Sequence, residues 1–187
     1  RWSVSEDKKV FTFWIDEKAR WSDGRPVSVE DVLWTYDTLS DPRNLTGPVR
    51  YQLARLERPE ILEDGGIRFR AKSVHWQNLS AIGSLLILPK HAFAGQDFNL
   101  LNFEFPVVSG QYRIKSFQEG QQLLLEKRGD YWRREYPASQ GVNNFTLLKL
   151  RFFEDQQNAF DAFKKGEIDA MKIYTASQWH GIEDQVS

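Results

Sequence analysis

The feature that most constrains this chain is a turn near its amino terminus that lies between a strand pattern and a helix pattern. Apolar side chains alternate with others over residues 11–15, and a period of two predicts a strand. Asp23 and Gly24 predict a tight turn, because Asp can bond its own backbone and Gly accepts a positive φ. Ser28 is then placed to cap a helix, and Asp31 nearly completes a capping box. Apolar residues follow at helical spacing, so the segment predicts a strand, a turn and a capped helix.

The acidic residues of this segment allow two interpretations. Asp23 and Asp31 can shape a turn and a cap, or they can form a paired-carboxylate site for acid/base catalysis. The structural interpretation is favoured, because Gly24 and Ser28 are the neighbours that turns and caps require. The sequence therefore predicts no catalytic residue and no enzyme. A glycosidase is the enzymatic alternative, since the chain has 26 acidic residues, but no paired site is discernible.

Composition narrows the classes of partner. The 187 residues suffice for one domain or two small ones, and a net charge of -1 argues against nucleic acid or anionic lipid as the main partner. No run of about 18 apolar residues occurs, so no membrane span is predicted. Cysteine is absent, which excludes disulfides and thiolate metal sites, and His75, His91 and His180 lack metal-ligand spacing. Neither a phosphate loop nor a serine-nucleophile elbow is present, and no metal or cofactor is predicted.

The remaining patterns predict a mixed α/β fold. A hairpin is predicted at 61–69, where Asp-Gly-Gly forms the turn, and a short helix is predicted at 77–86. Residues 41–50 and 128–144 are interpreted as loops, and residues 51–61 are ambiguous. Further strands are predicted at 111–117, 121–127 and 147–153.

The carboxyl-terminal part predicts a helix between two strands. Asp155 caps this helix and Gly166 ends it. Residues 167–171 are predicted to return as a strand, which makes a βαβ crossover. A capping box at 175–178 predicts a final helix that carries Trp179.

Four separated blocks of sequence occur in an order that is typical of one family. They occupy residues 21–32, 87–91, 108–132 and 158–169 and contain the strings WSDGRPVSVEDV, ILPKH, VSGQY and FKKGEID. Together they resemble the family 5 extracellular solute-binding proteins, the peptide-binding receptors of bacterial ABC importers. Gln111 stands where the family usually has Pro, and Gly129-Asp130 replaces an Asn-Pro pair. The segment 169–179 is similar to that of the subfamily that includes the microcin C uptake receptor.

This resemblance implies a fragment of a two-lobed periplasmic-binding-protein type II fold, in which mixed sheets carry flanking helices. Residues 1–104 would form part of a small extra domain of the first lobe and residues 105–187 part of lobe one, with the second lobe absent. The implied function is that of the substrate-binding component of an ABC importer. It would capture oligopeptides or related small solutes in a cleft and deliver them to a permease in the inner membrane.

The resemblance also implies a location and a set of partners. The protein would be a monomer in the periplasm, or lipid-anchored outside the cytoplasmic membrane, and would bind no nucleic acid. The alternative is the ligand-sensing module of a bacterial transcriptional regulator. A signal peptide upstream would favour the importer, and a helix-turn-helix upstream would favour the regulator.

Three aromatic residues are predicted to face the ligand: Tyr174, Trp179 and Trp76. Their alternative role is packing in a core or on a lobe surface, since buried aromatic side chains are mostly structural. Six residues are predicted to have structural roles within the motifs: Asp23, Gly24, Asp31, Gly110, Gly166 and Asp169.

Overall fold

The computed structural model describes residues 1–100, 104–176 and 179, which belong to two compact units. The first unit comprises residues 1–113 and 127–146. The second comprises residues 114–126 and those from 147 onward. Both units combine strands with helices, so the predicted mixed α/β class is confirmed.

The first unit is built on a four-stranded antiparallel sheet in the order β1-β2-β4-β3. Its register places Phe11 opposite Phe69. The hairpin between β3 and β4 agrees with the prediction for residues 61–69. The strands are β1 (Trp2–Val4), β2 (Val10–Phe13), β3 (Glu60–Ile61) and β4 (Ile67–Arg70).

Four helices complete the first unit. The longest has 12 residues and begins at the predicted capping box, in which Ser28 and Asp31 exchange backbone and side-chain hydrogen bonds. No helix in the described ranges is both long enough and apolar enough to cross a membrane. The helices are α1 (Val29–Ser40), α2 (Gly47–Leu53), α3 (Asn78–Gly83) and α4 (Lys90–Phe93).

The core of the first unit lies between the sheet and the helices. Phe69 of β4 is 1% exposed and meets Phe13 of β2 and Tyr36 of α1 edge to face. Aromatic pairs in this geometry add stability beyond the area they bury. The buried cluster contains Phe11, Val32, Tyr36, Leu53, Leu56, Ile67, Phe69, Ala71 and Ile82.

The second unit contains most of a three-stranded sheet in the order β5-β6-β7, and a helix follows the last strand. Asp155 caps that helix, as predicted, and its side chain accepts a hydrogen bond from Asn158 N. Strands β6 and β7 are antiparallel. The elements are β5 (Tyr112–Gln118), β6 (Gln122–Lys127), β7 (Leu147–Arg151) and α5 (Gln156–Lys164).

Several boundaries differ from those predicted. The predicted strand at 167–171, and with it the βαβ crossover, is wrong, because this segment is irregular and pairs with no described strand. The first strand, α2 and α4 were not predicted, and a 3₁₀ turn at Pro137–Ser139 interrupts the loop expected at 128–144. The capping box predicted at 175–178 includes residues that lie outside the described part of the chain.

Candidate functional site

The buried carboxylate of Asp31 joins three segments of the first unit. Asp31 lies in the first turn of α1 and is 5% exposed. It accepts hydrogen bonds from Trp21 Nε1 at 3.1 Å, from Ser28 N at 2.9 Å and from Lys90 N at 2.8 Å. One carboxylate therefore closes the capping box of α1 and also holds the first residue of α4.

Asp23 makes a second link between the turn that precedes α1 and the start of α4. Its carboxylate accepts hydrogen bonds from Arg25 N at 3.1 Å and from His91 Nε2 at 2.6 Å. Partial burial acts to raise the pKa of Asp23, but the hydrogen bonds from Arg25 and His91 outweigh it, so the pKa lies below its ordinary value. Gly24 follows with a φ of 87°, a conformation that favours glycine.

Arg128 anchors the third block of the signature in the first unit. Its side chain is 1% exposed. It donates hydrogen bonds to Val108 O at 3.2 Å and to Gly110 O at 2.9 Å, and its Nη2 lies 3.1 Å from Asp130 Oδ2. The hydrogen bond from Arg128 holds the pKa of Asp130 below its ordinary value. The guanidinium is thus paired with Asp130 and bonded to the backbone at the start of the same block.

In the first unit, the polar groups of these sequence blocks form hydrogen bonds with other groups of the protein. Asp23, Asp31 and Gly110 bond neighbouring motif segments, and such bonding is what a structural role requires. In the second unit, Gly166 follows α5 with a φ of 72°, and Asp169 lies exposed in the irregular segment beyond it. We keep the structural interpretation of these residues as a prediction.

An open groove of about 640 Å³ lies in the second unit and is the candidate binding site. One wall is the end of β7 with the start of α5, and the other is the irregular segment 168–174. Tyr174, which was predicted to face the ligand, lines this groove and is 69% exposed. The lining residues are Arg151, Phe152, Phe153, Glu154, Asp155, Gln156, Ala159, Ile168, Ala170, Met171, Lys172 and Tyr174.

The groove combines apolar walls with charges of both signs. Arg151 pairs with Glu167 at 3.2 Å, and Asp155 is occupied as the cap of α5, so both of these charges are already bonded. Lys172 lies over the ring of Tyr174, with its Nζ 5.1 Å from the ring centre. Such a lining suits a ligand that has an apolar body and charged ends. No group of three or more acidic, His or Cys side chains in the described ranges could hold a metal ion.

The other two predicted ligand residues lie outside the lining of this groove. Trp179 belongs to the second unit, is 58% exposed and donates its backbone N–H to Thr175 O at 3.3 Å. Trp76 belongs to the first unit and is 82% exposed. Neither residue is buried in a core of this chain, and both their ligand contact and the alternative of packing on a lobe surface stay predictions.

Sequence reasoning missed most of the groove. Phe152 and Phe153 were assigned to a strand, yet β7 ends before them. Ile168 and Met171 were assigned to another strand, although both line the groove. The available signal was a pair of aromatic residues two and three positions before the N-cap Asp155.

The family to which the chain belongs follows from its sequence. The family model of bacterial extracellular solute-binding proteins, family 5 Middle, matches residues 1–186. The chain therefore belongs to family 5 of the bacterial extracellular solute-binding proteins. These are binding proteins and not enzymes, in agreement with the prediction that the chain is not an enzyme.

Relatives and solved structures agree with this assignment. A Brucella melitensis protein named as a binding protein is 32% identical over 184 residues, which are 97% of this chain and 30% of that protein. The peptidoglycan-binding protein YepA of Agrobacterium fabrum is 32% identical over 166 residues, 88% of this chain and 27% of YepA. The chain thus spans about a third of the length of the curated relatives it matches.

The fold is that of a type II periplasmic binding protein. The oligopeptide-binding protein AppA of Bacillus subtilis, solved in complex with a nonapeptide, superimposes with a TM-score of 0.76 at 18% identity. The alignment covers 98% of this chain and 36% of AppA. The predicted fold, a part of this two-lobed architecture, is confirmed.

Proposed function

We propose that this chain is part of the substrate-binding component of an ABC importer. The whole protein captures oligopeptides or related small solutes in a cleft and delivers them to a permease in the inner membrane. The observation that carries this proposal is the open groove of the second unit, with its aromatic walls and its charges of both signs. Membership of the solute-binding family and the names of YepA and AppA support it.

The groove supplies only part of what a peptide needs. Burying a peptide without hydrogen bonds costs several kcal/mol for each polar group, so a receptor must surround the backbone as well as the side chains. Closure of a second lobe onto the ligand meets this requirement and expels water. In this scheme Tyr174 provides an aromatic surface for a ligand side chain, and Lys172 lies beside a ligand carboxylate. Trp179 is proposed to contact the ligand once the second lobe is in place.

The two units correspond to two parts of the first lobe in this proposal. Residues 1–104 belong to its small extra domain, and residues 105–187 contribute part of lobe one. The compact units agree with this division in part, because residues 1–104 lie in the first unit and the second unit lies wholly within the carboxyl-terminal part. Residues 105–113 and 127–146 are compact with the first unit.

The whole protein is proposed to act as a monomer outside the cytoplasmic membrane, either free in the periplasm or anchored by lipid. The family is one of extracellular proteins, which supports this location. Nucleic acid is not expected as a partner, because the charge of the chain is balanced. Ligands with a peptide part, including peptides derived from the cell wall, are the class we expect.

A pair of tyrosine variants tests the role of the groove. In the full-length protein, Tyr174→Ala should weaken the binding of a cognate oligopeptide at least tenfold, because a large aromatic contact is lost. Tyr51→Ala is the matched control, since Tyr51 is 73% exposed but lies in the first unit. Calorimetry should show unchanged affinity for Tyr51→Ala. Equal affinities for the two variants and the unmodified protein would rule out this groove as the ligand site.

A further inference from the structure

An exposed tryptophan in the first unit stacks on a neighbouring histidine and does not line the groove of the second unit. The ring of Trp76 stacks on that of His75, with ring centres 5.9 Å apart and planes at 23°. His75 Nδ1 lies 3.1 Å from Arg55 Nη1 and 3.2 Å from Gln77 N. Both partners can only donate, so His75 Nδ1 is the acceptor and the imidazole is fixed. Trp76, which is 82% exposed, therefore presents a flat apolar face to solvent.

A small polar pocket shares two of its residues with the hydrogen bonds that hold His75. Its volume is about 160 Å³, a quarter of that of the groove in the second unit. Arg55 and Gln77 line the pocket and also donate hydrogen bonds to His75, on whose ring Trp76 stacks. The lining residues are Gln52, Arg55, Gln77, Ser80, Ala81 and Ser84.

Most polar groups of this pocket are not used within the protein. In the described part of the chain, the side chains of Gln52, Ser80 and Ser84 make no hydrogen bond. Arg55 uses only Nη1 of its guanidinium, which donates to His75 and Gln77. Amide, hydroxyl and guanidinium groups thus remain available beside an aromatic face.

We propose that Trp76 and this pocket form a second binding site, and that its ligand is a single pyranose ring of a glycan. The C–H face of a pyranose packs on the negative face of an indole, while its hydroxyl groups match planar amide and guanidinium side chains. The pocket is too small for a peptide that would fill the groove of the second unit. The proposal uses none of the residues that line the groove.

The charge of the lining separates a sugar from other ligands that stack on tryptophan. No carboxylate lines the pocket, which disfavours a cationic ligand. Arg55 is the single charged side chain of the lining, whereas phosphate groups are usually met by several cations. A neutral sugar, or one with a single carboxylate, fits this arrangement.

A titration with N-acetylglucosamine tests the proposal on the isotope-labelled chain. The indole N–H signal of Trp76, assigned by its loss in Trp76→Ala, should shift with a dissociation constant of about 1–10 mM. Trp76→Ala should reduce the affinity at least tenfold, as followed by the saturation-transfer signal of the sugar. Trp2→Ala is the matched control, because Trp2 is a 59% exposed tryptophan of the first unit that does not line the pocket, and it should leave the affinity unchanged.

Two further variants keep the test independent of misfolding. Trp76→Tyr retains an aromatic face and should recover most of the affinity. Gln52→Ala with Ser80→Ala removes polar groups and leaves the stacked rings intact, so it should weaken binding several-fold. No shift at Trp76 up to about 50 mM sugar, equal binding by Trp76→Ala, or tighter binding of adenosine than of the sugar would each overturn the proposal.

Discussion

Asp31 accepts hydrogen bonds from more segments of the chain than a helix-capping residue normally does. An ordinary capping side chain satisfies one or two backbone N–H groups of its own helix. Asp31 also accepts hydrogen bonds from the Trp21 indole and from Lys90 N, which lie in other segments. Because Asp31 and Trp21 are both buried, water cannot replace these bonds if the carboxylate is removed.

A substitution at this carboxylate measures its contribution. Asp31→Ala should lower the free energy of unfolding by about 3 kcal/mol, because it removes a cap and leaves buried donors unsatisfied. Asp37→Ala is the control on the same helix, since Asp37 forms an exposed ion pair with Arg58, and it should cost less than about 1 kcal/mol. Urea denaturation provides both values. Equal losses would show that the buried bonds of Asp31 contribute nothing special.

Asp23 should have a smaller and pH-dependent effect. Asp23→Ala should lower the free energy of unfolding by about 1–2 kcal/mol, the usual scale for a lost cap or turn bond. The pKa of Asp23 is lowered in the folded chain, so its stabilisation is present above the unfolded pKa, near 3.8. It should be lost as the pH falls through the lower pKa of the folded state.

Asp23→Asn separates the turn from the charge, because its amide oxygen can still accept a hydrogen bond from Arg25 N. This variant should lose less stability than Asp23→Ala, and the pH dependence due to Asp23 should disappear. Chemical denaturation at several pH values checks both points. Unchanged stability of Asp23→Ala, together with lost ligand binding in the full-length protein, would contradict the structural role.

At the scale of elements, the sequence predicted those helices and turns that depend on interactions between residues close together in the chain. Helix α1 was predictable because Ser28 and Asp31 form its cap within four residues. The segment 167–171 was not predictable, because a strand needs a partner and no local pattern tells whether one is available. Its apolar residues Ile168 and Met171 line the groove instead. Helix α2 was missed because Gly47 and Pro48 are typical of loops, although Pro is well tolerated in a first helical turn.

Two glycine substitutions test how α5 ends. Gly166 follows α5 with a φ of 72°, and an added Cβ there would meet no atom within 4 Å, so any cost comes from the backbone. Gly166→Ala should therefore destabilise the chain by about 1–2 kcal/mol. Gly83→Ala is the control within α3, where space is also open and φ is not positive. It should be neutral or stabilise by up to about 1 kcal/mol in thermal or urea unfolding, and destabilisation equal to that of Gly166→Ala would contradict this account.

At the scale of the whole molecule, the sequence blocks predicted the fold and the family but little of the site. Asp31 and Asp23 join the first two sequence blocks, and Arg128 bonds the two ends of the third. The residue pattern of these three blocks therefore reflects the hydrogen bonds that stabilise the first unit. The groove lies in the second unit, and part of its lining, such as Phe152 and Phe153, lies outside the four sequence blocks. Its ligand contacts depend on tertiary placement, which local sequence patterns do not encode.

The most direct test of the central claim compares two lengths of the protein. Calorimetric titration with oligopeptides should show no binding tighter than roughly millimolar by residues 1–187 alone, about −4 kcal/mol. The full-length protein should bind cognate peptide at about micromolar or better, near −8 kcal/mol, because closure of the second lobe supplies the other surface and excludes water. Micromolar binding of peptide by residues 1–187 alone would contradict the account, because the site would then be complete within this chain.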